Sequence, residues 1–160
     1  MTRRYAVLAG AVLVLAVVGS ACGGGGGEQL THDQYQTELT TQLAEINAET
    51  SAALAAIDSA TPATVTSLGD ELRTTADSLS DASDHFNSLN PPDDAERANG
   101  LLVSALQKVG EGFRQAATSA DNGDLEQLRV IKDAYPNSGA QKELVTAVGE
   151  LKKAGYTGKV

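Results

Sequence analysis

Apolar side chains recur every three or four residues through most of the chain after residue 30. In residues 31–59 the apolar positions are Tyr35, Leu39, Leu43, Ile46, Ala53 and Ile57. This spacing places them on one face of an α-helix. Thr31, followed three residues later by Gln34, predicts a capping box at the start of this helix. The segment is therefore predicted to be a long helix with one buried face.

The same period continues in four later segments. Residues 62–89 carry Val65, Leu68, Leu72, Ala76, Leu79, Ala82, Phe86 and Leu89 at helical spacing. Residues 92–120 carry Ala95, Ala98, Leu102, Leu106, Val109, Phe113, Ala116 and Ala120. Residues 125–135 and 140–154 are two shorter segments, with apolar positions at Leu125, Leu128, Ile131, Tyr135, Leu144, Val145, Val148 and Leu151. No segment alternates as a half-buried strand does.

Proline, glycine and asparagine mark the predicted helix ends. Thr61-Pro62 predicts a new helix, with Thr61 as N-cap and Pro62 at the first helical position. Residues 90–92 (Asn-Pro-Pro) end the second helix, and residues 122–124 (Asn-Gly-Asp) form a turn. Short connections between long amphipathic helices favour antiparallel neighbours. The prediction is an all-α fold, an antiparallel four-helix bundle whose fourth helix is broken near Pro136.

Gly110 and Gly112 lie inside the third predicted helix. Each costs that helix about 1 kcal/mol relative to alanine. A glycine on a helix surface permits a neighbouring backbone to come close, so we expect a close helix contact at these positions.

The first 27 residues have a different pattern. Arg3 and Arg4 precede an apolar run over residues 5–18, and Cys22 is followed by five glycines, residues 23–27. The run is shorter than the roughly 20 apolar residues of a membrane-spanning helix, and its flanks match a secretory signal peptide. The paired arginines also fit twin-arginine export, so the export route stays open.

Residues 18–22, Val-Gly-Ser-Ala-Cys, resemble the lipobox of bacterial lipoproteins, apart from Gly19 where leucine is usual. The resemblance implies cleavage between Ala21 and Cys22, and a diacylglycerol on Cys22 with acyl chains such as palmitate. The break at residues 89–92, the turn at residues 122–124 and the Ala-Gly-Tyr end at residues 154–156 extend the resemblance to small helical lipoproteins of actinobacteria. It implies a lipid-anchored protein on the outer, extracytoplasmic face of the cell membrane.

The predicted organisation has four parts. Residues 1–21 are a lipoprotein signal peptide, and residues 22–30 hold the lipidated cysteine and a flexible glycine linker. Residues 31–156 form the helical bundle, and residues 157–160 are a C-terminal tail. Stable anchoring needs two or more acyl chains, since one chain binds a bilayer only marginally.

Composition restricts the functions of the mature chain. Removing residues 1–21 leaves 139 residues and changes the net charge from −9 to −11, because Arg3 and Arg4 are lost. An acidic chain argues against nucleic acid, which is bound largely through Lys and Arg. The mature chain has no Trp, no Met and two Phe. Its core must be built from small aliphatic residues, so we expect little interior volume, no roomy pocket and no cofactor.

His32 and His85 are the candidate metal ligands. An up-down bundle places the start of its first helix and the end of its second at the same end, where carboxylates also gather. Imidazole with carboxylate suits a divalent first-row metal. The two histidines do not form a pair four residues apart, however, and solvated positions at helix ends are the favoured interpretation. The acidic turn of Asp121, Asp124 and Glu126 lacks the ligand spacing of a calcium loop, so helix capping explains it better.

The sequence predicts a protein that is not an enzyme. No serine lies in a G-x-S-x-G turn, and the single cysteine is assigned to lipid. The favoured function is a protein-interaction or cell-envelope accessory module, with the bilayer as partner through acylated Cys22 and an envelope protein as second partner. The alternative is a binding protein or carrier. It would take a metal ion at His32 and His85, or a small apolar ligand beside the broken fourth helix.

Overall fold

A computed structural model describes residues 28–158 of the chain. The predicted signal peptide and the sites Ala21 and Cys22 lie outside the described residues. All regular structure in residues 28–158 is helical, which confirms the all-α prediction for this part. The helices are α1 (His32–Ser59), α2 (Leu68–Ser88), α3 (Asp93–Asp121), α4 (Leu125–Ala134) and α5 (Gly139–Lys153). Two 3-10 turns, Val65–Ser67 and Tyr135–Asn137, precede α2 and α5.

The helix α3 is the centre of the packing. It lies against α2, α4 and α5, while α1 lies against α2 and α4. His85 near the end of α2 is 3.0 Å from Glu38 near the start of α1, and Tyr35 of α1 bonds Asn99 near the start of α3. These contacts bring residues 28–35, 85–99 and 154–158 together at one end of the fold, which we call the base.

The core contains the apolar faces that the sequence predicts. Every residue of the stripes predicted in α1 and α3 is at most 5% exposed. Burying such side chains contributes about 25 cal/mol per Å² of apolar surface removed from water. Periodicity therefore identifies the core-facing side of both long helices.

Side-chain and backbone groups cap the helix ends. The predicted capping box is present, since the Thr31 hydroxyl accepts from the Gln34 N–H and the Gln34 side chain accepts from the Thr31 N–H. Asp124 caps α4 and Ser138 caps α5 through their side-chain oxygens. Gly155 follows α5 at φ +94°, a left-handed conformation that glycine adopts without strain. These contacts satisfy backbone groups that a helix end leaves unpaired.

The predicted start of the second helix at Pro62, with Thr61 as its N-cap, is wrong. Residues 62–64 form a turn, and α2 begins at Leu68 after the 3-10 turn. The Thr61 carbonyl accepts from the N–H groups of Thr64 and Val65, and the Thr64 hydroxyl accepts from the Thr61 N–H. The 3-10 turn lies against α3, and its Val65 is buried. Burial of Val65 at this corner is the physical reason why a tight turn replaces the first helical residues.

Gly110 and Gly112 differ in their surroundings. A Cβ on Gly110 would lie 3.2 Å from the Ala76 carbonyl oxygen and 3.5 Å from the Leu79 Cβ. The expected close helix contact is therefore present at Gly110, between α3 and α2. A Cβ on Gly112 would meet no atom within 4 Å, so the same expectation is wrong there.

We expect Gly110→Val to lower the free energy of unfolding by about 1–3 kcal/mol, because α2 must move to admit the side chain. Gly112→Ala is the matched comparison, and it should raise stability by up to about 1 kcal/mol through helix propensity. Urea unfolding followed by circular dichroism at 222 nm measures both. A Gly110→Val protein as stable as the parent would contradict the close contact.

Candidate functional site

The structure gives the two candidate metal ligands different partners at the base. His85 Nε2 lies 3.0 Å from Glu38 Oε2. The His32 ring stacks on the Tyr156 ring with centroids 4.2 Å apart, and its Nδ1 lies 3.7 Å from Asp33 Oδ1. Within residues 28–158 no group of three or more His, Cys, Asp or Glu side chains is arranged to hold a metal ion. In the described residues, His85 therefore contacts Glu38, and His32 contacts Tyr156 and Asp33.

The acidic turn after α3 is used for capping and ion pairing. Asp124 accepts from the Gln127 N–H at 2.9 Å and so caps α4. Asp121 pairs with Arg73 of α2, which also pairs with Asp70. The hydrogen bonds that Arg73 donates to Asp70 and Asp121 raise its pKa. Capping, the interpretation favoured from the sequence, is confirmed for Asp124.

A hydrogen-bonded tyrosine cluster occupies the base, and sequence reasoning did not find it. The Tyr35 hydroxyl donates to Asn99 Oδ1 at 2.9 Å, and Asn99 Nδ2 donates to the Phe86 carbonyl at 3.0 Å. The Tyr156 hydroxyl donates to Asp94 Oδ1 at 2.8 Å. The Tyr35 and Tyr156 rings meet edge to face with centroids 5.2 Å apart. The tyrosine cluster therefore joins α1, α2, α3 and the segment after α5.

Both tyrosines of the cluster are held in the neutral form. Burial raises the pKa of Tyr35 well above its ordinary value, and the neighbouring Tyr156 adds to the rise. Burial, followed by the hydrogen bond to Asp94, raises the pKa of Tyr156 to about 12. Strongly shifted groups in an open cleft are candidates for catalysis. These two rings are at most 1% exposed, so their role is to hold the base together.

A cleft of about 310 Å³ opens beside the break between α4 and α5. Its apolar surface comes from α1, α3 and α4, and includes Leu54, Ile57, Val109, Phe113, Ala116 and Ile131. We call it the α4 cleft. Its volume is at the lower end of the range for small-molecule sites. It lies where the alternative hypothesis expected a gap.

Three charged residues line the α4 cleft, namely Lys108, Glu111 and Lys132. Lys108 pairs with Glu143 of α5, and Lys132 pairs with Asp58 and Asp133. The hydrogen bonds that Lys132 donates to Asp58 and Asp133 raise its pKa, so this lysine stays protonated. Glu111 also lines the cleft and has no ion-pair partner within residues 28–158. Both lysines of the lining are therefore paired with carboxylates outside it, and Glu111 is a negative charge at the cleft that is unpaired in the described range.

Tyr135 separates the α4 cleft from a second cavity of about 80 Å³ between α1 and α5. Its ring packs edge to face on Phe113, with centroids 5.9 Å apart. Burial raises the pKa of Tyr135, so its hydroxyl remains a donor, and it makes no hydrogen bond to another residue in the described range. Gln141 lines the second cavity, and its buried Oε1 has no partner in that range either. The two cavities therefore offer one free donor and one free acceptor.

Comparisons with known proteins give no relative. No protein-family model matches the chain, and no curated protein or solved structure is similar to it. None of the helices in residues 28–158 combines the length and the apolar character that a membrane crossing requires. The function has to be inferred from the chain's own residues.

Proposed function

We propose that the chain is a lipoprotein that is anchored on the outer, extracytoplasmic face of a bacterial cell membrane through acylated Cys22. The observation that carries this proposal is the arrangement of residues 3–27: two arginines, a short apolar run, small residues, one cysteine and five glycines. The resemblance to lipoproteins also accounts for an unpaired cysteine in an exported chain. In this proposal residues 1–21 are removed, and the acyl chains bind the mature protein to the bilayer.

The base is the end of the fold that would face the membrane. Gln29 donates to the Pro91 carbonyl at 3.2 Å and to Asp93 Oδ1 at 2.7 Å, and the Leu30 N–H donates to the Asn90 carbonyl at 2.8 Å. These hydrogen bonds therefore hold residues 29 and 30 at the base. Five glycines span at most about 18 Å, so the base would stay close to the headgroups. The turn at residues 61–64 would point away from the membrane.

The proposed architecture of the folded part is an antiparallel four-helix bundle with α4 and α5 together as its fourth member. The shared position of the start of α1, the end of α2 and the start of α3 at the base supports this arrangement. The 3-10 turn at Tyr135–Asn137 interrupts the fourth member at Pro136. Proline lacks the N–H that a continuous helix would need there.

The proposed activity is a non-enzymatic one, a protein-interaction or envelope accessory module. The sequence offers no nucleophile motif, and lipidation would consume the single thiol. An acidic surface is suited to a partner protein with a basic face rather than to nucleic acid or an anionic bilayer surface. The proposed partners are the bilayer, through Cys22, and an envelope protein.

Acyl labelling of Cys22 tests the anchor. We expect the wild-type protein to incorporate an alkyne fatty acid and its N-terminal peptide to begin at a diacylglyceryl-modified Cys22. Cys22→Ala should abolish the label and leave residues 1–21 attached. Ser20→Ala is the matched control, because it keeps a small side chain beside the cleavage site and should keep the label. An unmodified Cys22 thiol in mass spectra of the wild-type protein would refute the proposal.

The second candidate function is a binding protein for a small apolar ligand. The α4 cleft favours it, because the cleft is large enough for a small molecule and has a mainly apolar surface. The candidate metal site at His32 and His85 gains no comparable observation, since the two side chains contact different groups.

A further inference from the structure

We infer that the α4 cleft binds a small, uncharged apolar molecule that carries a hydrogen-bonding group. The inference rests on the second candidate function and names its ligand class. It does not depend on lipidation of Cys22, because the cleft is built entirely from residues within the described range.

The absence of a side chain at residue 112 keeps the cleft open. Gly112 lies inside α3 and lines the cleft, where a glycine costs the helix about 1 kcal/mol relative to alanine. Gly110, two residues earlier, is explained by the backbone of α2, which leaves little space for a Cβ. Gly112 has no such neighbour. Any larger side chain at this position would project into the space that a ligand needs.

The charged residues at the cleft disfavour binding of an anionic ligand. Both lysines that line the cleft are already paired with carboxylates, so an anionic ligand would have to compete with those carboxylates for them. Glu111 adds a further negative charge at the cleft. The chain as a whole is also negative, at −9. An uncharged ligand avoids this repulsion and buries its apolar surface against Ile57, Phe113 and Ile131.

A ligand with one polar group could form a hydrogen bond with the Tyr135 hydroxyl or with Gln141 Oε1. The Tyr135 hydroxyl is an available donor in the wall of the cleft, and Gln141 Oε1 is an available acceptor in the adjoining cavity. A buried polar group without a partner costs about 1–3 kcal/mol. Pairing Gln141 Oε1 with the ligand would recover part of that cost.

Two fluorescent probes that differ in charge test the inference. N-phenyl-1-naphthylamine is uncharged, and 1-anilinonaphthalene-8-sulfonate has the same ring system with a sulfonate added. The protein is the mature chain, residues 22–160, with Cys22→Ala so that no lipid competes for the dye. Cooperative urea unfolding verifies that each variant is folded. We expect saturable one-to-one binding of the uncharged dye and at least about ten-fold weaker binding of the sulfonate.

Filling the cleft supplies the decisive comparison. Gly112→Leu should weaken binding of the uncharged dye at least about ten-fold, because the new side chain occupies the cleft. Gly149→Leu is the control, since Gly149 is also a half-buried helix glycine with open space around its Cβ and does not line the cleft. It should leave binding unchanged. Equal affinity for the two dyes, undiminished binding in Gly112→Leu, or no saturable binding by the parent would each overturn the inference. None of these results would alter the outcome of acyl labelling at Cys22.

Discussion

Tyr156→Ala is expected to lower the free energy of unfolding by about 3–5 kcal/mol, the range for removing a buried aromatic ring. The ring is 1% exposed, stacks on His32 and meets Tyr35 edge to face, and its hydroxyl donates to Asp94. Alanine would remove all of these contacts together. Urea unfolding of the parent and the variant, monitored by circular dichroism at 222 nm, measures the difference.

Two further variants separate the contributions of Tyr156. Tyr156→Phe keeps the ring and loses the hydrogen bond to Asp94, so it should cost about 0.5–1.5 kcal/mol. Val145→Ala, at a position of α5 that is 55% exposed, should change stability by less than about 0.5 kcal/mol. If Tyr156→Ala were no more destabilising than Val145→Ala, the segment after α5 would not be part of the stable fold.

The positions of the long helices could be predicted because apolar periodicity and end signals agree with each other. In α1 a capping box, a continuous stripe and a proline shortly after the end all indicate one helix. Periodicity is less informative where two apolar residues are adjacent. Leu144 and Val145 are both apolar positions of the last helix, but Leu144 is buried and Val145 is 55% exposed. Adjacent positions point about 100° apart on a helix, so one of them must lie away from the core unless the buried face is wide.

The start of α2 was mispredicted because local signals were overruled by packing. Thr-Pro is a common helix start, and nothing within residues 61–66 indicates a tight turn instead. The deciding contact is that of the 3-10 turn containing Val65 with α3. The helix α3 begins at Asp93, 28 residues after Val65. A contact between distant segments cannot be seen in the pattern of one segment.

One residue in the sequence, Asn99, could have indicated the tyrosine cluster. Asn99 interrupts an otherwise apolar face of α3, between Ala95 and Leu102 at helical spacing. A polar residue on a core-facing stripe needs a partner, because a buried polar group without one is costly. That argument predicts a buried hydrogen bond, but it does not identify Tyr35 as the donor. Identifying the donor requires knowledge of which helix faces meet.

The α4 cleft follows from two features that the sequence shows separately. Pro136 lies in the 3-10 turn that separates α4 from α5, and Gly112 leaves α3 without a side chain at a half-buried position. The small-residue composition predicted an interior with little space, which is an average over the whole core. A local gap of about 310 Å³ is consistent with that average, since the predicted stripes of α1 and α3 are closely buried. Composition alone could not locate the gap.

Stability is expected to fall steeply above about pH 10, because burial keeps Tyr35 and Tyr156 protonated in the folded state. Below pH 10, the ordinary pKa of tyrosine, the folded and unfolded chains both bind the phenolic protons, so the stabilisation is fully present. Above pH 10 the unfolded chain releases the proton of Tyr35 while the folded chain retains it. The free energy of unfolding therefore decreases by about 1.4 kcal/mol per pH unit for this group. Tyr156 adds to the slope until pH reaches its own pKa of about 12.

Tyr35→Phe isolates this contribution. The variant keeps the ring but leaves Asn99 Oδ1 without its donor, so it should be about 1–2 kcal/mol less stable than the parent at pH 7. Its slope above pH 10 should be shallower by about 1.4 kcal/mol per pH unit, and the two curves should converge. Deprotonation of lysine ion pairs is common to both proteins and cancels in the difference. Urea unfolding at several pH values measures the slopes, and absorbance at 295 nm follows phenolate formation. Parallel curves, or complete ionisation of the tyrosines near pH 10 with the helices intact, would show that Tyr35 is open to solvent.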